Sequence, residues 1–95
     1  MLKVVAEMVI APASKDGFMP LVSELVKASR EDAGCVSYEF CQLTEGNSSY
    51  AMVETWEDQK TLDEHMQTEH FTKIVPEMAK FQTGDMKVSV YKVLI

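Results

Sequence analysis

One amphipathic helix pattern between strand-like segments constrains the fold more than any other feature of this sequence. From residue 18 onward, side chains recur at the three- and four-residue spacing of one helix face. The members of this face are Phe18, Leu21, Val22, Leu25, Val26 and Ser29. Ser14 or Asp16 can cap the helix, and Pro20 fits only near its first turn, where a missing N–H costs little. Gly34 marks the break that follows.

Four segments of the chain have strand character. Leu2–Ala11 is rich in β-branched residues and is followed by Pro12, which ends the first predicted strand. The other three predicted strands are Cys35–Leu43, Tyr50–Trp56 and Met86–Ile95. Because only a short polar turn separates the second strand from the third, these two should form an antiparallel hairpin.

The second predicted strand alternates in polarity. Val36, Tyr38 and Phe40 alternate with Ser37 and Glu39. Since successive side chains of a strand point to opposite faces, the three apolar residues are expected to share one face.

Two short helices are predicted between the third and fourth strands. Asp58 is a plausible N-cap for the first of them, whose face carries Leu62, His65 and Met66. The second has a face formed by Phe71, Ile74, Val75 and Met78. Pro76 lies inside this second pattern and is expected to break or bend the helix.

The element order is βαββαβ when the broken pair of helices counts as one element. This order predicts an α+β fold of the ferredoxin-like type, with a four-stranded antiparallel sheet and helices on one face. The length of 95 residues fits a single domain over residues 1–95.

The first and last strands carry apolar residues on both faces. In the last strand Val88, Val90 and Leu94 lie on one face, and Tyr91, Val93 and Ile95 on the other. A sheet with one wet face would instead alternate cleanly between apolar and polar residues. Because the chain has helices enough for one face only, we expect a homodimer, sheet against sheet, with the apolar C-terminus in the interface.

Charge and composition argue against several classes of protein. The net charge is −6 and Arg30 is the only arginine, so the sequence lacks the clustered basic side chains with which proteins bind nucleic acids and phosphorylated ligands. No apolar run approaches the length of a membrane span, and the N-terminus does not resemble a signal peptide, so a cytoplasmic protein is expected.

Cys35 and Cys41 are about 20 Å apart on one predicted strand and cannot bridge each other. The two cysteines and two histidines form no recognisable metal spacing.

Two stretches of this sequence resemble a known family. The first comprises Glu54-Thr55-Trp56-Glu57-Asp58, Leu62-Asp63-Glu64-His65-Met66 and Thr68-Glu69-His70-Phe71, and the second is Asp32-Ala33-Gly34-Cys35-Val36-Ser37-Tyr38-Glu39. Both resemble the signature segments of antibiotic biosynthesis monooxygenase (ABM) domains. The resemblance implies a dimeric α+β barrel. It also implies oxidation of phenols, quinols or polyketide-like aromatics by O2 without flavin, metal or haem.

Within this resemblance, His65 and Trp56 are the candidate catalytic residues. A histidine on an apolar helix face is either a core residue with one satisfied hydrogen bond or a general base, for which its pKa is suited. Trp56 is either a core anchor or a pocket wall whose N–H donates to an oxygen of the substrate anion. His70 is expected to be structural and to hold the connection between the two short helices.

The candidate substrate-binding residues are Glu54, Met52, Leu62, Met66 and Tyr50. Glu54 faces the same side of its strand as Trp56; it could form a salt bridge at a sheet edge or interface, orient His65, or hold a ligand hydroxyl. The methionines could fill core gaps or line a pocket for a flat apolar substrate.

The sequence departs from specialised relatives, which leaves other functions open. Haem-degrading members carry an Asn and a haem-ligating His where this chain has Met8 and Val75, and some anthrone-oxidising members carry Asn and Tyr at Met52 and Leu62. The alternative to an oxygen-dependent enzyme is a non-redox isomerase or a non-catalytic ligand-binding dimer. A pocket lined by both His65 and Trp56 would favour the enzyme, whereas a His65 hydrogen-bonded inside the core, with no cavity beside Trp56, would favour a binding or structural role.

Overall fold

The computed structural model describes residues 1–95 and contains four strands and three α-helices. In chain order these are β1 (Leu2–Val9), a 3-10 turn (Pro12–Ser14), α1 (Lys15–Ser29), β2 (Cys35–Gln42), β3 (Ser49–Trp56), α2 (Gln59–Met66), α3 (Glu69–Ala79) and β4 (Lys87–Lys92). No helix is both long enough and apolar enough to span a bilayer.

The four strands form one antiparallel sheet in the order β2-β3-β1-β4. The two central strands are β3 and β1, and the helices cover one face, which confirms the ferredoxin-like α+β prediction. One row of register partners runs across the helix side of the sheet and comprises Tyr38, Glu54, Val4 and Val90.

The helix boundaries correct the prediction for Pro20 and exclude a break of the helix at Pro76. α1 begins at Lys15 after the 3-10 turn, without a side-chain cap from Ser14, so Pro20 lies beyond the first turn. Pro76 does not break α3, which continues to Ala79. Each proline lacks the N–H group that would bond to a carbonyl one turn earlier in the helix. Because both prolines are exposed, these carbonyls lie on the solvent-exposed side of the helix and can accept a hydrogen bond from water.

A β-bulge changes the face of the sheet on which the Val36 side chain lies. The register shifts between Cys35, opposite Trp56, and Ser37, opposite Thr55. Val36 is the extra residue, and it is exposed while Tyr38 is buried. The prediction that Val36 shares a face with Tyr38 and Phe40 was therefore wrong.

The last strand is shorter than predicted and its apolar residues are largely exposed. β4 pairs only with β1, the final backbone hydrogen bond runs from Val93 N–H to the Met1 carbonyl, and Leu94 and Ile95 are exposed. On the helix side, Val90 is half exposed although its register partner Val4 is buried. The helices therefore stop short of β4.

Candidate functional site

The candidate site lies where β3 ends and α2 begins. Trp56, the last residue of β3, is fully buried. The chain then turns directly into α2 through a capping box in which the Asp58 side chain accepts from the Thr61 N–H and the Thr61 hydroxyl from the Asp58 N–H. Because α2 starts so close to the strand end, its buried face returns over Trp56 and places His65 against the indole.

Asp32 holds both histidines of the chain. Its Oδ2 atom lies 2.8 Å from Nδ1 of His65 and 2.8 Å from Nε2 of His70. An ionised carboxylate can only accept, so both ring nitrogens donate to it. Asp32 comes from the α1–β2 loop, His65 from α2 and His70 from α3, so one carboxylate joins three parts of the fold.

The His65 ring is neutral, and one of its two nitrogens carries no proton. Burial lowers its pKa, and the hydrogen bond and charge of Asp32 oppose that effect. With the proton on Nδ1, the Nε2 atom is an acceptor, and it is buried without a hydrogen-bond partner. A buried acceptor left unpaired costs about 1–3 kcal/mol, which marks this atom as a candidate for function.

Aromatic rings surround the His65 imidazole. Its ring centroid lies 4.5 Å from Trp56, 5.1 Å from Phe71 and 5.5 Å from Tyr38. The Phe71 and Tyr38 rings meet it edge to face. This surrounding is apolar, which explains why burial outweighs Asp32 in setting the His65 pKa.

Glu54 is a second buried ionisable group in the same region. Its Oε1 accepts from Trp56 Nε1–H at 2.9 Å, and no ion pair of the structure involves it. Burial raises the pKa of Glu54 to about 7, against the opposing hydrogen bonds of Trp56 and Tyr38. The carboxyl therefore changes protonation near neutral pH, as an acid–base group requires.

These contacts revise the interpretation of Glu54 and Trp56. The Trp56 N–H, expected to donate to substrate, donates to Glu54 instead. Glu54 lies on a central strand and makes no salt bridge, and the residue that orients His65 is Asp32.

The predicted substrate-binding residues do not all meet at this place. Leu62 is buried on α2 one turn before His65, and Met52 is buried on the helix side of β3. Met66 is exposed and does not share the buried face of α2. Tyr50 lies about 20 Å along β3 from Trp56, where its ring stacks on Phe40.

Neither His65 nor Trp56 lines any of the four principal surface pockets, which have volumes of about 260–520 Å³. The largest of these four, about 520 Å³, lies at the far end of the sheet beside Met8 and Tyr50. The smallest of the four, about 260 Å³, opens beside His70. Direct access of a substrate to His65 therefore requires an opening that this conformation does not contain.

Sequence reasoning missed Asp32 as a site residue. It lies 33 and 38 residues before the two histidines, so no local spacing connects them. The available signal was its place at the head of the Asp-Ala-Gly-Cys segment, where Gly34 at φ 80° turns the chain into β2. The fold thus assembles three ligand-type side chains whose donor atoms lie within 4.8 Å of one another.

Residues 1–77 match the family model of antibiotic biosynthesis monooxygenase. The chain belongs to this family. The matched range includes Asp32, Glu54, Trp56 and both histidines, and it excludes β4.

The chain is also similar to solved structures and to curated proteins. A crystal structure of an antibiotic biosynthesis monooxygenase is 34% identical, with all of both chains covered and a TM-score of 0.93. A conserved protein from Methanosarcina mazei Go1 is 27% identical, with 96% of this chain and 90% of that chain covered and a TM-score of 0.93. The uncharacterised protein sll1783 of Synechocystis sp. PCC 6803 is 27% identical over 84 residues, which cover 88% of this chain but only 57% of that protein.

Replacing Glu54 by Gln should change how stability depends on pH. The carboxyl has a pKa of 4.5 in its ordinary state and about 7 in the fold. It therefore binds its proton more tightly when folded, and this contribution is present below pH 4.5 and lost as the pH rises through 7. Between pH 5 and 8, the wild type should lose about 2–3 kcal/mol more unfolding free energy than Glu54→Gln.

Urea unfolding at both pH values measures this difference. Glu57→Gln, at an exposed position three residues along, should keep the wild-type pH dependence. Equal pH dependence in Glu54→Gln and the wild type would contradict the raised pKa.

Proposed function

We propose that this protein is a cofactor-independent monooxygenase or oxidase that acts on a small phenolic, quinol or polyketide-like aromatic substrate with O2. Family membership supports the reaction class. The observation that carries the proposal is the buried, unpartnered Nε2 of His65, which Asp32 holds in the acceptor tautomer.

The chemistry needs a base more than it needs a cofactor. Triplet O2 reacts slowly with closed-shell molecules, but an electron-rich phenolate or enolate can transfer one electron to it directly. Once the substrate is deprotonated, the radical pair combines to a peroxide at carbon. Loss of water from that peroxide turns a CH2 group into a carbonyl, with one oxygen atom of O2 in the product and the other in water.

The residues divide these tasks by position. His65 Nε2 takes the proton, and Asp32 stabilises the imidazolium that results. Glu54, with a pKa near 7, holds an oxygen of the substrate, and Trp56 forms a flat apolar wall beside it. Leu62 and Met52 complete the apolar surroundings that exclude water.

We propose that the substrate approaches along the helix side of β4. Val90 is half exposed, and it belongs to the same row of register partners as Glu54. Two strand spacings, about 10 Å, separate the two residues across Val4. If α3 were displaced slightly, a flat substrate lying along this row of residues would reach Glu54 and then His65.

We also propose a homodimer formed sheet against sheet. The helix-free face and the C-terminus carry exposed apolar side chains, including Tyr91 at 58% and Leu94 at 84% exposure. A second copy is the simplest cover for a sheet face that has no helix of its own.

Sedimentation velocity at micromolar concentration should give about twice the chain mass of 10.7 kDa. Leu94→Asp should shift the distribution toward monomer, because a charge at the interface loses its hydration. Met19→Asp, at an exposed apolar residue on α1, should not. A wild-type protein that sediments as a monomer would contradict the dimer.

One observation favours a second candidate function, a non-catalytic ligand-binding dimer of the same fold. His65 is 1% exposed and Trp56 0%, and they line none of the four pockets. If the site stays closed, the hydrogen bonds of Asp32 to His65 and His70 serve only to hold α2 and α3 in place.

Oxygen uptake distinguishes the two functions. Metal-free and flavin-free protein is given a panel of hydroquinones, catechols and anthrones, each corrected for autoxidation. His65→Gln should lower kcat at least 100-fold with little change in KM, because an amide cannot take the proton. Glu64→Gln, the adjacent exposed position on α2, should retain wild-type turnover.

Equal uptake by His65→Gln and wild type would refute the base assignment. Uptake that does not increase with protein concentration for any member of the panel would favour the second function.

A further inference from the structure

The cluster of Asp32, His65 and His70 has the composition of a metal site as well as of a hydrogen-bonded triad. We propose that these three side chains bind a divalent transition-metal ion of the Zn²⁺ type. Imidazole nitrogen and carboxylate oxygen are ordinary zinc ligands, and two histidines with one carboxylate leave a fourth position for water.

The observed distances between the three donor atoms lie on both sides of the donor–donor separation that such an ion requires. Donor atoms about 2.0–2.1 Å from a tetrahedral ion lie about 3.4 Å from one another. Asp32 Oδ2 is 2.8 Å from each imidazole nitrogen, and all three donor atoms lie within 4.8 Å. Small rotations of the Asp32 and His70 side chains, which are 14% and 22% exposed, would open the centre of the cluster to an ion.

The surroundings give an ion access to the cluster. The pocket of about 260 Å³ beside His70 is lined by Glu24, Glu69, Lys73 and Ile74. Its two carboxylates exceed its single ammonium, so the pocket carries a net negative charge that favours cation approach. No lysine or arginine forms an ion pair with Asp32.

Binding would change the proton arrangement on both rings. His65 would ligate through Nδ1 and His70 through Nε2, so each neutral imidazole would carry its proton on the other ring nitrogen. His65 Nε2 would then be a donor. This consequence rests on the proposed function: a metal-bound His65 has no free acceptor, so the ion would inhibit oxygen chemistry at this site.

Zinc chloride titrated into metal-free protein, followed by calorimetry, tests the site directly. One Zn²⁺ per chain is expected. His70→Gln should weaken binding at least tenfold, because one of three ligands is lost. Cys41→Ser, which removes the exposed thiol, should leave the affinity unchanged. Circular dichroism verifies that the variants are folded.

Nitrogen NMR of the zinc-bound wild type gives a second measurement that needs neither a variant nor turnover. The proton of His65 should move from Nδ1 to Nε2. No saturable binding at one ion per chain, equal affinity in His70→Gln, or an unchanged His65 ring would overturn the site. Zinc binding by these criteria with undiminished oxygen uptake would leave the site standing and overturn its inhibitory consequence.

Discussion

The arrangement of this molecule around its candidate site depends on one carboxylate oxygen that accepts two imidazole N–H groups. Asp32 Oδ2 joins the α1–β2 loop to α2 and α3, and it fixes which nitrogen of His65 carries the proton. Hydrogen bonds to an ionised group are the strong ones, so Asp32 can hold the helix pair in place at the end of β3. The unpaired His65 Nε2 follows from the same interaction.

Burial then gives the site its electrostatic character. His65 has a lowered pKa and Glu54 a raised one, so both groups are biased toward neutrality, and Trp56 contacts both. Burying a carboxyl that has no cationic partner and an imidazole nitrogen that has no hydrogen-bond partner costs stability that apolar side chains would not cost. Such a cost is typical of a site kept for chemistry or binding. Under the proposed function, the closed conformation would have to open, for example by motion of α3, to admit a ligand.

Sequence reasoning predicted the architecture because local patterns encode it. The α1 periodicity, the polar hairpin turn and the Asp58 cap all lie within a few residues of what they determine. The bulge at Val36 and the end of β4 escaped prediction because each depends on the pairing with a neighbouring strand, which is β3 for the bulge and β1 for the end of β4. Asp32 was missed for the same reason, since only the assembled fold brings it to His65 and His70.

Asp32 keeps the proton of His65 on Nδ1 and leaves Nε2 unprotonated. Long-range proton–nitrogen correlation NMR of the metal-free wild-type protein at neutral pH measures this directly. We expect a protonated Nδ1 and an unprotonated Nε2 for His65, and loss of that pattern in Asp32→Ala. A proton on Nε2 of His65 in the metal-free protein, or a doubly protonated ring, would contradict it.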